Sequence, residues 1–128
     1  MKIGKVISVV LATVVMFIVS GCSSSPKPLY NYGDYSESYY GTKKEATTES
    51  ALEYQKALEY CISGADGSRS GRVPPGMYAN LGYLYLKAGK SDKAIENFTK
   101  EKTVYPEATF FMDKMINKVE VAEDKNDK

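Results

Sequence analysis

The side chains in this sequence that could do chemistry are two cysteines, Cys22 and Cys61, and a carboxylate pair, Asp34 and Glu37. Two carboxylates three residues apart can share acid and base work on one substrate. Here they lie in a Tyr- and Ser-rich stretch with no nucleophile or metal-ligand set beside them, and they read as a solvated turn. The chain also contains no His. That removes the commonest general base, the commonest zinc ligand and every Ser-His or Cys-His nucleophile pair. The expectation is a protein that is not an enzyme, with no catalytic residues, no metal and no cofactor. Lys and Arg together number 17 against 16 Asp and Glu, for a net charge of +1. Such a balance offers no cationic excess to displace counterions from phosphates, so nucleic acid is not an expected partner.

What Cys22 can do depends on the residues before it. Met1 to Lys5 is a short basic start, and Val6 to Val19 is an uncharged, mostly apolar run. The run is short for a bilayer-spanning helix, which needs about 20 residues, and fits the apolar region of an export signal. Val19-Ser20-Gly21-Cys22 then resembles the lipobox of bacterial lipoproteins. The resemblance implies a signal peptide over residues 1–21, cleavage before Cys22, and a diacylglycerol thioether and palmitate on that cysteine. It also implies an anchor in the membrane made of acyl chains. Ser23, which is not Asp, follows the cysteine; in Gram-negative lipoproteins this implies release to the outer membrane, facing the periplasm. Removing Lys2 and Lys5 leaves a nearly neutral mature chain. With Cys22 lipidated, Cys61 has no disulfide partner, and its place on an apolar helical stripe predicts a buried structural thiol.

Those residues need elements to hold them. Residues 22–28, rich in Ser and Pro, form a tether whose extended reach is about 20 Å. Residues 29–42 carry Tyr30, Tyr32, Tyr35, Tyr39 and Tyr40 with two glycines and no strong period, which predicts an extended, Tyr-rich arm. Its rings can pack on the domain behind it or recognise a partner, and both readings stay open. Residues 43–122 read as helical. Ala51, Leu52, Tyr54, Ala57, Leu58, Cys61 and Ile62 recur at helical steps; Ser63 to Pro75 is a connecting loop whose Arg69 and Arg72 are expected to be solvated. Gly76 to Ala88 is a second helix, and Ser91 or Asp92 starts a third that runs to about Tyr105. Glu107 to about Val121 is a fourth, with Phe110, Phe111, Met115, Ile116 and Val119 as its apolar residues. Residues 123–128 are expected to be a disordered tail.

Tyr78 to Pro106 follows the tetratricopeptide pattern of about 34 residues. Tyr78 stands in the Trp place, Leu81-Gly82 and Tyr85 come at the right spacing, Ala94 and Phe98 follow, and Pro106 closes the unit. Glu101 and Lys102 depart from it, since apolar residues usually stand there to receive the next unit. The fold expected is all-α: a small tetratricopeptide-like array of about four helices behind the arm. Tyr-Gly-Asp-Tyr at 32–35, Arg72-Val73-Pro74-Pro75-Gly76, the 81–86 run and the Glu101-Lys102 to Tyr105-Pro106-Glu107 junction, with the lipobox, resemble a bacterial lipoprotein family called domain of unknown function 4810. The resemblance implies a small tetratricopeptide-like envelope lipoprotein of unassigned activity. Its members are often encoded beside a curli-secretion-type pore lipoprotein, which implies envelope proteins as partners.

Helical repeats usually hold peptides in the groove lined by their first helix. That makes Asn80, Tyr83, Leu86 and Lys87 the candidate partner-binding residues, with Tyr32 and Tyr35 from the arm. Two roles follow: an adaptor that binds an envelope protein, or a purely structural assembly lipoprotein without peptide specificity.

Overall fold

The computed structural model describes residues 3–7 and 26–126, and all regular structure among them is helical. Beyond a helical stretch at 3–7, the chain forms α1 (Tyr35–Lys44), α2 (Thr48–Ser63), α3 (Met77–Lys87), α4 (Ser91–Val104) and α5 (Thr109–Asn126). Two single 3₁₀ turns, Ala65–Gly67 and Pro106–Ala108, mark the ends of α2 and α4. Each helix packs against the next in sequence, so the fold is an antiparallel, stepwise array.

Local chemistry sets the boundaries. Thr47 and Ser50 form a reciprocal capping box at the start of α2, each side-chain oxygen accepting the other's backbone N–H at 3.1 Å. α3 closes at Gly89, whose φ of 68° lets Lys90 N–H return to the Tyr85 carbonyl at 2.9 Å. Tyr105 and Pro106 then stop α4 and turn the chain into α5.

The core is two linked clusters. Tyr54, Leu58 and Cys61 of α2 meet Met77 and Leu81 of α3; Ala94 and Phe98 of α4 meet Met112 and Val119 of α5. Tyr85 packs against both clusters and joins them. Cys61 is fully buried, its Sγ 3.0 Å from the Tyr32 carbonyl.

Several expectations are corrected. The arm is irregular only as far as a turn at Gly33 and Asp34; from Tyr35 it is helical, so the array has five α-helices where about four were expected. The cause is an i, i+4 register: Tyr35 and Tyr39 stack at 6.2 Å and both lie 5.7 Å from Tyr54 of α2, with Lys43 one turn further on over Tyr39. The helical domain therefore starts at Tyr35 rather than at residue 43. Phe110 and Phe111 are exposed, at 74% and 60%, while Met112 is buried. With Met112 and Val119 facing α4, helical geometry puts Phe111 about 100° and Phe110 about 200° away from the core. α5 also continues to Asn126, through residues expected to be tail; Glu, Ala and Lys there propagate a helix and neither Gly nor Pro stops it. Arg72 is not simply solvated, because its guanidinium donates to the Val104 carbonyl and lies 4.7 Å from the Tyr105 ring centroid.

Candidate functional site

α3 carries most of the candidate residues, and its position is fixed from α4. Gly76 at the N-cap offers no side chain, and the first backbone donors of α3 turn instead to Glu101. Its Oε1 accepts from Gly76 N–H at 2.7 Å and its Oε2 from Ala79 N–H at 3.2 Å, with the residue only 3% exposed. A carboxylate at a helix N-terminus satisfies orphan donors and complements the dipole. The residue that departs from the repeat pattern is thus the cap of the neighbouring helix.

Along α3 the candidates divide. Asn80 Nδ2 donates to the Tyr35 hydroxyl at 3.3 Å, so these two hold α1 to α3. Leu86 is half-buried against the second core cluster. Tyr83 is 47% exposed and Lys87 lies over its ring at 5.3 Å, leaving this pair as the free surface of the helix. Tyr32 is 43% exposed within a chain of neighbouring rings that runs from Tyr30 through Tyr32, Tyr35 and Tyr54 to Tyr39. The Tyr54 hydroxyl is buried beside Tyr35 without a well-aligned hydrogen bond, and burial pushes its phenol up. Cys22 lies outside the described residues.

Two open grooves cross the surface. One, of about 670 Å³, runs between α1 and α2 and is lined by Asp34, Glu37, Glu53, Lys56 and Tyr60 among others. The two carboxylates of the arm both line it, together with the Ser38 hydroxyl. The second, of about 280 Å³, is lined by Tyr78, Tyr85, Lys93, Lys100, Glu96 and Asn97. Among the described residues no group of three or more His, Cys, Asp or Glu could hold a metal ion.

Sequence reasoning missed three features here. Glu101 was visible as a break in the repeat pattern, but its target is set by tertiary structure. Arg72 and Tyr105 form the second: Tyr105 is 5% exposed, donates to the Val73 carbonyl, and burial followed by the Tyr30 hydroxyl pushes its phenol up to about 12. The third is the exposed α5 pair, Phe110 and Phe111.

The raised phenol sets an alkaline limit. An unfolded tyrosine releases its proton near pH 10 while folded Tyr105 keeps it until about 12, so the folded state binds more protons in that window. Stability is full below pH 10 and falls as pH rises through the window, by roughly 1 kcal/mol per pH unit for this residue. Burial raises the Cys61 thiol in the same sense. Urea unfolding at about pH 8 and about pH 11 should show the loss, and Tyr105→Phe should reduce it.

Residues 29–115, well over half of the sequence, match the family model described as Domain of unknown function (DUF4810). The chain belongs to that family. The match begins at Leu29 and ends at Met115, taking in α1 to α4 and the first turns of α5. In this member of the domain of unknown function 4810 family the Glu101 cap, the Tyr105–Arg72 contact and the Tyr35–Asn80 bond all fall inside the matched region. No curated protein and no solved structure matches the chain.

Proposed function

We propose that this protein is an outer-membrane lipoprotein, anchored through Cys22 and facing the periplasm, whose tetratricopeptide-like array acts as a protein-protein interaction adaptor. Its partner on this reading is an envelope protein, with a curli-secretion-type pore lipoprotein as the first to test. The observation that carries the reading is the outer face of α5. Phe110, Phe111 and Val121 are 74%, 60% and 45% exposed on one helix, while Met112 and Val119 face the core. Large exposed aromatics are costly in a monomer and are the residues that anchor protein interfaces. Tyr83 with Lys87 adds a second aromatic contact on α3.

A photocrosslinker at position 111 in intact cells should trap one defined envelope protein, and the same group at exposed Glu49 should not. Recovery of no adduct at 111, or the same adducts from both positions, would sink the adaptor.

A purely structural role has its own support. Asn80, Tyr35 and Leu86 are spent on internal contacts, which reduces the groove available to a peptide. On that alternative, deleting the protein lowers the amount of assembled pore, whereas Tyr83→Ala leaves it unchanged.

A further inference from the structure

The loop between α2 and α3 is thirteen residues of small, basic and proline-rich sequence, and the adaptor reading gives it no task. It is nevertheless tightly built. Ser68 Oγ donates to the Ala65 carbonyl at 2.7 Å and lies 3.2 Å from Ser70 Oγ, which in turn accepts from Arg72 N–H at 3.2 Å. Two further bonds fix it to the last residue of the tether and the first after it: Arg69 N–H to the Pro28 carbonyl at 2.9 Å, and Ser70 N–H to the Leu29 carbonyl at 3.1 Å. The chain therefore enters the domain at this loop. The C-termini of α2 and α4 and the N-termini of α1, α3 and α5 share the same end, because the helices alternate in direction.

We propose that this end is a foot that rests on an anionic lipid surface, with Leu29 and Tyr32 entering the interface and Lys27 and Arg69 facing lipid phosphates. The inference rests on the reading of Cys22 as the lipid anchor. Leu29 is 49% and Tyr32 43% exposed, Lys27 and Arg69 are exposed, and the Arg69 side chain has no hydrogen bond or ion pair among the described residues. A Tyr ring and a leucine flanked by cations suit the headgroup boundary, where aromatic rings sit at the polar level and arginine stems reach outward. Asp34, Glu37, Asp66 and Glu107 share this end, and the opposite end carries Lys43, Lys44, Lys87, Lys90 and Lys93, so charge by itself does not select the foot. Tether length does. The six residues after Cys22, Ser23 to Pro28, reach about 20 Å when fully extended. α4 alone is about 21 Å long, so an inverted domain would need the tether stretched along its whole side.

The test uses the full acylated chain in vesicles of phosphatidylethanolamine and phosphatidylglycerol. An environment-sensitive fluorophore is attached at Gly67→Cys in the foot or at Lys90→Cys at the far end. An added Cβ at Gly67 meets nothing within 4 Å, and fully buried Cys61 makes the unsubstituted chain the labelling control. A nitroxide on the lipid headgroup should quench the label at 67 severalfold more than the label at 90. Arg69→Glu should weaken quenching at 67 on these vesicles and leave it unchanged on neutral phosphatidylcholine. Equal quenching at 67 and 90, or stronger quenching at 90, would overturn the foot. Unchanged quenching with Arg69→Glu would overturn the phosphate contact. Mass spectrometry of the Cys22 peptide separates the two readings: a chain without acyl mass overturns the anchor and the foot together, whereas an acylated chain with equal quenching overturns the foot alone.

Discussion

Glu101→Ala should lower the unfolding free energy by about 3 kcal/mol, a large share of the total for a domain this small. Each carboxylate oxygen accepts one N–H of the first turn of α3, from Gly76 and from Ala79. Hydrogen bonds to a charged group contribute about 1.5–3 kcal/mol, and a carboxylate at a helix N-terminus adds up to about 2 kcal/mol when partly buried. Against this stands the cost of holding a carboxylate at 3% exposure, which the variant recovers. The loss survives that correction because alanine leaves two part-buried donors without their acceptor. Glu101→Gln keeps one acceptor and should cost about half as much. Urea titrations of the three proteins check this, and an alanine variant within about 0.5 kcal/mol of the parent would show that the carboxylate does not cap α3.

Phe98→Ala should cost about 3–5 kcal/mol, because the ring is fully buried in the second cluster and its removal opens a cavity between α4 and its neighbours. The informative partner is Gly82. Glycine inside a helix normally costs about 1 kcal/mol relative to alanine, so propensity alone says that Gly82→Ala stabilises. Geometry reverses the sign. An added Cβ would lie 2.8 and 2.9 Å from two Phe98 ring carbons and 3.1 Å from the Ala94 carbonyl oxygen, and overpacking of that kind costs about 1–3 kcal/mol. Combined with Phe98→Ala, the new methyl has room from the ring, and Gly82→Ala should become close to neutral. A double-mutant cycle by chemical denaturation reads the coupling; equal effects of Gly82→Ala in both backgrounds would show that the ring does not require the glycine.

The division between what was legible and what was not follows the range of the forces. α2, α3 and α4 were legible because their apolar residues repeat at helical steps, and Gly89 and Pro106 mark the ends of α3 and α4. Each of those acts within a few residues of itself. The close approach at Gly82 was legible too, since the Tyr78 to Pro106 pattern places a small residue opposite Phe98. α1 escaped because two glycines flank a run of tyrosines whose helical register gains its stability from rings on another element, Tyr54 above all. The outward position of Phe110 and Phe111 was not legible for a related reason. Several adjacent apolar residues on α5 allow more than one inward face, and docking on α4 selects Met112 and Val119.

Of the candidate site, the sequence determined residue types and their order along α3, and the tertiary structure decided which are free. Asn80 and Leu86 lie on the same helix as Tyr83, yet one bonds α1 and the other packs into the core, contacts that depend on partners 45 residues away or in another helix. The sequence by itself determined the helical class of the described residues, the membership pattern from Leu29 onward, the absence of histidine and the place of Cys61 on a buried helical stripe. Only the tertiary structure decided that Glu101 caps a neighbouring helix, that Arg72 closes α4 over Tyr105, and that the chain enters beside the loop of Arg69. The physical reason is that helix formation is written in periodicity and local hydrogen bonding. Satisfying a buried charge or an unfilled helix end instead depends on what the folded chain brings within 3 Å.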